Sequence, residues 1–322
     1  MKRIISFLLV IIISLGILAG CSLLPGKLQF CEVKFYVDGE IYETRSAAIG
    51  KTVGAPKNPE KENYIFTGWK TDGLISYMYD FSSKVITNMN LEACFTLDTV
   101  KVGNLIGTKT IHSTVRIASK AYNVAFGSLI ETESVTSYGS GVIIDVSGGY
   151  CYVLTNAHVV DKDEYSKQKI NVIDVYGNSY EASIYKNSKK PSAAVSTDYD
   201  LALLYFKLPE EHTFAEIEMG SDPKNSDFVV SIGNPQGLLN SVTYGKVLNY
   251  QRVNGAEGSA ADMIQFDTIL HDCPIDHGSS GGALVDPYGR LVGINFAGYR
   301  EQHYGCAIPV SKIIEFLDLY VY

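Results

Sequence analysis

The sequence predicts an all-β fold: closed antiparallel sheets large enough for two barrels, one terminal helix, and a small β-rich module in front. Three observations carry that expectation. From about residue 108 the 322-residue chain is a succession of short apolar alternations separated by Gly, Asn, Asp and Ser, the grammar of many short strands at near-regular spacing. The chain holds 29 glycines and 22 tyrosines and few stretches of helical period, which favours strands. Between residues 33 and 97 the pattern changes to three or four shorter strands around the sole tryptophan, Trp69, a segment with a marginal core of its own.

The first residues lie outside both regions. Met1-Lys2-Arg3 is basic, and Ile4 to Leu18 is apolar apart from Ser6, Ser14 and Gly16. This run is short for a transmembrane helix and fits a signal peptide over residues 1–20. Leu18-Ala19-Gly20-Cys21 resembles the bacterial lipobox. The resemblance implies that Cys21 is acylated and becomes the mature N-terminus, outside the cytoplasm and anchored to the cell membrane. Two acyl chains hold a protein where one is marginal. Residues 21–32 then read as a tether. Formal net charge is −8, and losing Lys2 and Arg3 would bring it to about −10. So acidic a chain argues against nucleic acid as a partner and against electrostatic attraction to anionic lipid.

In the module, Val33, Phe35 and Val37 alternate as a strand before the turn Asp38-Gly39. Gly50-Lys51-Thr52-Val53, Pro56, Pro59 and Tyr64-Ile65-Phe66-Thr67-Gly68-Trp69 follow, then Tyr79-Asp80-Phe81 and Asn90-Leu91-Glu92-Ala93-Cys94-Phe95. This succession resembles the Listeria–Bacteroides repeat of bacterial surface proteins, in one copy. The resemblance implies adhesion or spacing at the cell surface, with cell-wall contact open to residues 33–97 and no catalytic residue. With Cys21 acylated, Cys31, Cys94, Cys151, Cys273 and Cys306 remain, an odd number that cannot all pair. Cys31 and Cys94 bracket the module and could bridge; equally, they could be small buried apolar groups. No C-x-x-C spacing occurs, so neither a metal nor another cofactor is expected.

Residues 98–107 read as a linker to a domain spanning 108–322. Apolar runs such as Gly141-Val142-Ile143-Ile144, Tyr152-Val153-Leu154, Leu201-Ala202-Leu203-Leu204, Val229-Val230-Ser231-Ile232 and Leu291-Val292-Gly293-Ile294 supply its strands. Ile313, Ile314, Leu317 and Tyr320 or Val321 mark one face of a closing amphipathic helix expected to pack on the second barrel.

Hydrolysis of a peptide by a serine hydroxyl needs a neutral imidazole to take its proton and a buried carboxylate to hold that imidazole in one tautomer. It also needs two backbone N–H groups aimed at the oxyanion, hence glycine near the nucleophile. The sequence offers all of these. His158 follows a strand in Thr155-Asn156-Ala157-His158-Val159-Val160, Asp200 opens Asp200-Leu201-Ala202-Leu203-Leu204, and Ser280 lies in Gly278-Ser279-Ser280-Gly281-Gly282. The order His, Asp, Ser places the first two in one barrel and the serine in the next, the chymotrypsin order. Asp198 competes with Asp200 but stands two residues earlier. His271 and His277 read as solvated loop histidines, while His112, His212 and His303 carry no pattern.

Tyr138-Gly139-Ser140-Gly141-Val142, the His158 motif, Ser231-Ile232-Gly233-Asn234-Pro235-Gln236-Gly237-Leu238, Val242-Thr243-Tyr244-Gly245-Lys246-Val247, Gly293-Ile294-Asn295 and Ala307-Ile308-Pro309 are together similar to trypsin-like proteases of the HtrA/Deg type, over about residues 108–318. The resemblance implies two six-stranded antiparallel barrels with a triad of His158, Asp200 and Ser280 between them. It also implies an oxyanion hole from the N–H groups of Gly278 and Ser280, and protein or peptide substrates. By the same match Pro274, Ile275, Phe296, Ala297 and Gly298, with Ala307 nearby, line the primary pocket. No carboxylate stands at its floor, so an apolar substrate side chain is expected. The chain departs from the family at Ser279, where Asn is usual, and at Pro274 and Asp276-His277. No PDZ module is expected after the closing helix. The sequence therefore reads as a surface-anchored serine endopeptidase, with an idle adhesion lipoprotein on the same scaffold as the alternative.

Overall fold

Three hydrophobic clusters of the region from about residue 96 onward are built on strands whose inward side chains alternate as the sequence implies. The computed structural model describes residues 29–124, 131–162, 164–187, 190, 193–234, 240–253, 260–299 and 304–322. The segment expected to be a signal peptide, Cys21 and most of the expected tether lie outside the described residues, as do Pro235–Leu238 of the glycine–asparagine motif. The chain divides into two compact units: residues up to Glu60 with Phe66–Phe95, and Lys61–Ile65 with Thr96–Tyr322.

The first unit is a four-stranded sheet in the order β2-β1-β4-β3, from β1 (Phe30–Val37), β2 (Glu40–Ala48), β3 (Tyr64–Thr71) and β4 (Met89–Leu97). Asp38 and Gly39 both take positive φ, 51° and 81°, the geometry of a tight primed hairpin turn that an Asp-Gly pair supplies. Val33, Phe35, Trp69, Val85 and Leu91 form the core. The Phe35 and Phe66 rings meet Trp69 edge-on at 4.9 and 5.5 Å. Cys31 and Cys94 are both free. The parallel register Val33↔Met89 to Tyr36↔Glu92 puts them toward opposite ends of the paired strands, so the bridge left open by the sequence cannot form.

Residues 98–107 are not a linker. They belong to helix α1 (Thr99–Thr108), whose N-cap Asp98 accepts a hydrogen bond from the Lys101 N–H. Val102 and Ile106, one helical turn apart, are fully buried among the barrel residues. Gly103 and Gly107 lower the helical propensity and mask that i, i+4 pair.

The first barrel is a ring of β11-β7-β6-β5-β8-β9, closed by β11–β9 pairing, with β10 added at the edge. Its strands are β5 (Thr114–Val124), β6 (Glu131–Ser147), β7 (Tyr150–Thr155), β8 (Lys167–Ile173), β9 (Ser179–Ile184) and β11 (Leu201–Lys207); β10 is Val195–Ser196. The second is the closed ring β12-β13-β14-β17-β16-β15: β12 (Phe228–Gly233), β13 (Ser241–Gln251), β14 (Thr268–His271), β15 (Ala283–Val285), β16 (Leu291–Tyr299) and β17 (Tyr304–Pro309). Both six-stranded barrels are antiparallel throughout, as expected. Short helical turns α2 (Ala157–Val160) and α3 (Ala260–Met263) interrupt them.

Helix α4 (Val310–Tyr320) packs on β16 and β17 of the second barrel. Its buried face is Val310, Ile313, Phe316 and Leu317, whereas Ile314, expected inside, is exposed. The start of the helix explains the difference. Pro309 sets the N-terminus, and counting from Val310 the inward positions fall at i+3, i+6 and i+7.

Candidate active site

The end of β7 and the start of β11 bring His158 and Asp200 together, and the turn between β14 and β15 carries Ser280. Strand β7 ends at Thr155, and Asn156 caps the short α2 turn that carries His158. Thr155 and Asn156 are fully buried. The Thr155 hydroxyl donates to the Ser140 carbonyl at 2.7 Å, and the Asn156 amide donates to the Asp200 carbonyl at 2.9 Å. In this motif the first two side chains build the wall and the histidine faces out of it.

Asp200 precedes β11, is 2% exposed and takes φ = 49°. A non-glycine residue pays conformational strain there and is held by its surroundings. Its carboxylate accepts from the His158 backbone N–H at 3.0 Å and lies 2.8 and 3.1 Å from Nδ1. Nδ1 therefore carries the proton, and the lone pair sits on Nε2. Asp198 is in the exposed part of the same turn, away from this contact, and not on a strand.

Ser280 sits in the turn between β14 and β15. Gly278 and Gly281 take φ of 95° and 83°. A Cβ on Gly281 would stand 2.0 Å from the Ser140 carbonyl oxygen, so the turn requires glycine both for its backbone and for this close approach. Within the turn, the N–H groups of Ser279, Gly281 and Gly282 are occupied by the carbonyls of Asp276, Asn295 and Ser279. Among the described residues those of Gly278 and Ser280 have no partner. The Ser280 hydroxyl donates to the Phe296 carbonyl at 3.3 Å rather than to His158.

Ser140 of β6 ties this turn to the first barrel. Its N–H donates to the Ser280 carbonyl at 2.7 Å, its hydroxyl to the Gly278 carbonyl at 2.7 Å, and that hydroxyl accepts from the Asn234 N–H at 2.9 Å. The motif around Ser140 was visible in the sequence; its role as a clamp was not, because it depends on a contact 140 positions downstream.

The specificity candidates divide. Phe296 is buried, Ala297 and Ile275 are half-buried, and Pro274 and Gly298 are exposed. A Cβ on Gly298 would meet the Ile275 side chain at 3.0 Å, and one on Gly305 would meet it at 2.7 Å. Ile275 thus lies across two glycine-floored strands. Ala307 is in the barrel core.

His271 corrects the sequence reading. It is not solvated: it lies on β14, fully buried, and its Nε2–H donates to Asn295 Oδ1 at 3.0 Å. Burial pushes its pKa down to about 4, against smaller opposing effects from Asn295 and Asp272, so the ring is neutral. Asn295 passes the contact on, donating to the Ser231 hydroxyl and the Ala283 carbonyl while its backbone pairs with Gly281 and Gly282. The apolar run ahead of His271 was the available signal. His277 is exposed, as expected. Burial pushes the thiols of Cys151, Cys273 and Cys306 up to about 12, which leaves them protonated and unreactive.

Residues 139–294 match the family described as trypsin-like peptidase domain. This stretch is a trypsin-like peptidase domain. Among relatives of the peptidase domain, the serine protease HTRA4 of Mus musculus is 35% identical over 195 residues, covering 60% of this chain and 36% of that protein. A probable periplasmic DegP-like serine endoprotease of Buchnera aphidicola is 32% identical over 182 residues, 54% of this chain and 34% of the other. The chain thus spans about a third of the length of these relatives. The solved serine endoprotease from Yersinia pestis is 26% identical, with a TM-score of 0.48, covering 67% of this chain and 65% of that one. Ahead of the peptidase domain, residues 32–93 match the Listeria-Bacteroides repeat domain.

Proposed function

We propose that the chain is an extracytoplasmic serine endopeptidase, anchored by lipid at Cys21, in which His158, Asp200 and Ser280 form the catalytic triad. One observation carries this reading. An imidazole locked by a buried carboxylate, with its free nitrogen on Nε2, shares the inter-barrel site with a serine whose turn leaves two neighbouring N–H groups unused. Rotation of the Ser280 hydroxyl away from the Phe296 carbonyl delivers it to His158 Nε2. The oxygen then attacks the scissile carbonyl carbon and its proton passes to Nε2. The oxyanion accepts hydrogen bonds from Gly278 and Ser280, and Asp200 stabilises the imidazolium. Collapse expels the amine, which takes the proton from Nε2. Water, activated by the same nitrogen, releases the acyl group and restores Ser280. Ile275, Phe296, Ala297 and Gly298 line the pocket and select a small aliphatic side chain, because Ile275 occupies part of its width. The periplasmic relative supports an extracytoplasmic setting, and residues 33–97 hold the peptidase at the cell surface.

A fluorophosphonate probe tests the mechanism, since it labels only an activated serine. The expected result is labelling of the wild-type chain and none of Ser280→Ala, whose peptidase rate falls by about 10⁴ or more. Wild-type cleavage of casein by purified Ser280→Ala would overturn the assignment of the nucleophile, and a wild-type chain that neither takes the label nor cleaves casein would favour the idle lipoprotein.

A further inference from the structure

We propose that one end of the β-rich module inserts into the lipid–water interface of the membrane that anchors the chain. Phe30 opens β1 and pairs with Ala48 at the close of β2, next to Ile49. The Ile49 N–H donates to the Gln29 carbonyl, and the Gly50 N–H to the Val85 carbonyl, next to Ile86. Asn88 accepts from the Glu32 N–H at 2.8 Å, and Asn90 at the start of β4 donates to Asp72 at the end of β3, also at 2.8 Å. The loop holding Leu74 and Ile75 therefore leaves from the same end of the sheet. Five large apolar side chains share this end and none is covered: Phe30 is 61% exposed, Ile49 45%, Leu74 110%, Ile75 81% and Ile86 72%. The opposite end carries the polar Asp38-Gly39-Glu40 hairpin, where the Gly39 N–H donates to Glu92, with Ile41 as an exposed apolar side chain beside it.

The apolar end is also where the described chain begins. From Cys21 to Phe30 is nine residues, a reach of about 30 Å at most, so a chain anchored at Cys21 presents this end to its bilayer; in this respect the inference rests on the anchoring proposed above. Exposed apolar tips grouped on one end, with the exposed lysines Lys51 and Lys84 beside them, suit an interface where aliphatic groups enter the acyl boundary and ammonium groups stay in water. The acidic balance of the chain makes insertion of apolar groups, rather than charge attraction, the binding force, and zwitterionic lipid is sufficient.

The test uses the full acylated chain in phosphatidylcholine vesicles whose acyl chains carry bromine, which quenches indole on contact. Trp69 is buried and gives the background. In Leu74→Trp the added fluorescence is expected to fall by more than half relative to unbrominated vesicles. In Ile41→Trp, at the polar end, it is expected to be unchanged. A chain that sediments with the vesicles while Leu74→Trp is unquenched, or while both variants are quenched alike, overturns the insertion alone. A wild-type chain that stays in solution overturns insertion and anchoring together. Release by Cys21→Ala, read by the same sedimentation, reports on the anchor by itself.

Discussion

At Asp200 the backbone conformation and the carboxylate geometry work against each other energetically, and the site keeps both. The positive φ is tolerated because the carbonyl of Asp200 is held by Asn156 and its carboxylate by two groups of His158. Asp200→Asn replaces an acceptor with an amide that cannot hold the Nδ1–H tautomer. A loss on the order of 10⁴ in kcat near neutrality is expected, with the barrel still folded. Asp198→Asn, in the exposed part of the turn, should leave kcat within a factor of a few. Steady-state kinetics of both on one peptide checks this, and the reverse pattern would mean the wrong carboxylate. His271 supplies a second prediction. Its pKa is near 4 in the fold and near 6.5 unfolded, so between those values the unfolded chain binds the extra proton. The contribution to stability is complete above about pH 6.5 and is lost as pH falls toward 4, up to about 3 kcal/mol. Denaturant titrations should therefore show a shallower fall between pH 6.5 and 4 for His271→Gln than for wild type. Parallel curves would place the titrating group elsewhere. The two residues also differ in how visible they were. Asp200 announces itself by opening an apolar strand. His271 looked solvated because burial on a four-residue strand depends on β13 and β17 on either side of it, which no local pattern reveals.

Helices α1 and α4 show what strand-based reading leaves out. A fragment beginning at Val102, inside the segment read from the sequence as a linker, starts within α1 and lacks the Asp98 cap. It also loses residues 61–65, where Asn63 donates to the Pro287 carbonyl and accepts from the Asp98 N–H. Such a fragment should melt well below the parent. At the other end, α4 reaches the segment that leads into the Asp200 turn: the Tyr199 hydroxyl donates to Glu315, and the Tyr199 and Phe316 rings lie 6.1 Å apart. Phe316 is fully buried, so Phe316→Ala is expected to cost about 3–5 kcal/mol, a drop of roughly 10 °C in Tm for a domain of this size. Calorimetry measures it; a change under 2 °C would mean the helix is peripheral. The helix itself was legible from its period. Of its expected inward face Ile313 and Leu317 are buried and Tyr320 and Val321 pack on the core, whereas Ile314 is apolar yet turned outward.

For the whole molecule, the strand runs and the His, Asp and Ser order were enough to reach two barrels and their shared site, since alternation is imposed by burial on every strand separately. What stayed hidden joins distant parts: the closure of the first ring by β11 and β9, the hub at Asn295, and the attachment of Ser140 to the nucleophile turn. That attachment has a consequence for how the two halves could be handled. Ser280 and Gly278 hang on Ser140 by backbone and hydroxyl bonds, so assembling the site and docking the barrels are one event. The connection between them passes through the exposed stretch Glu210–Thr213. If the proposed activity holds, two polypeptides divided there should each be inert, and mixing them should restore hydrolysis in proportion to the complex formed, which would turn the chain into a split reporter whose turnover counts reassembled pairs.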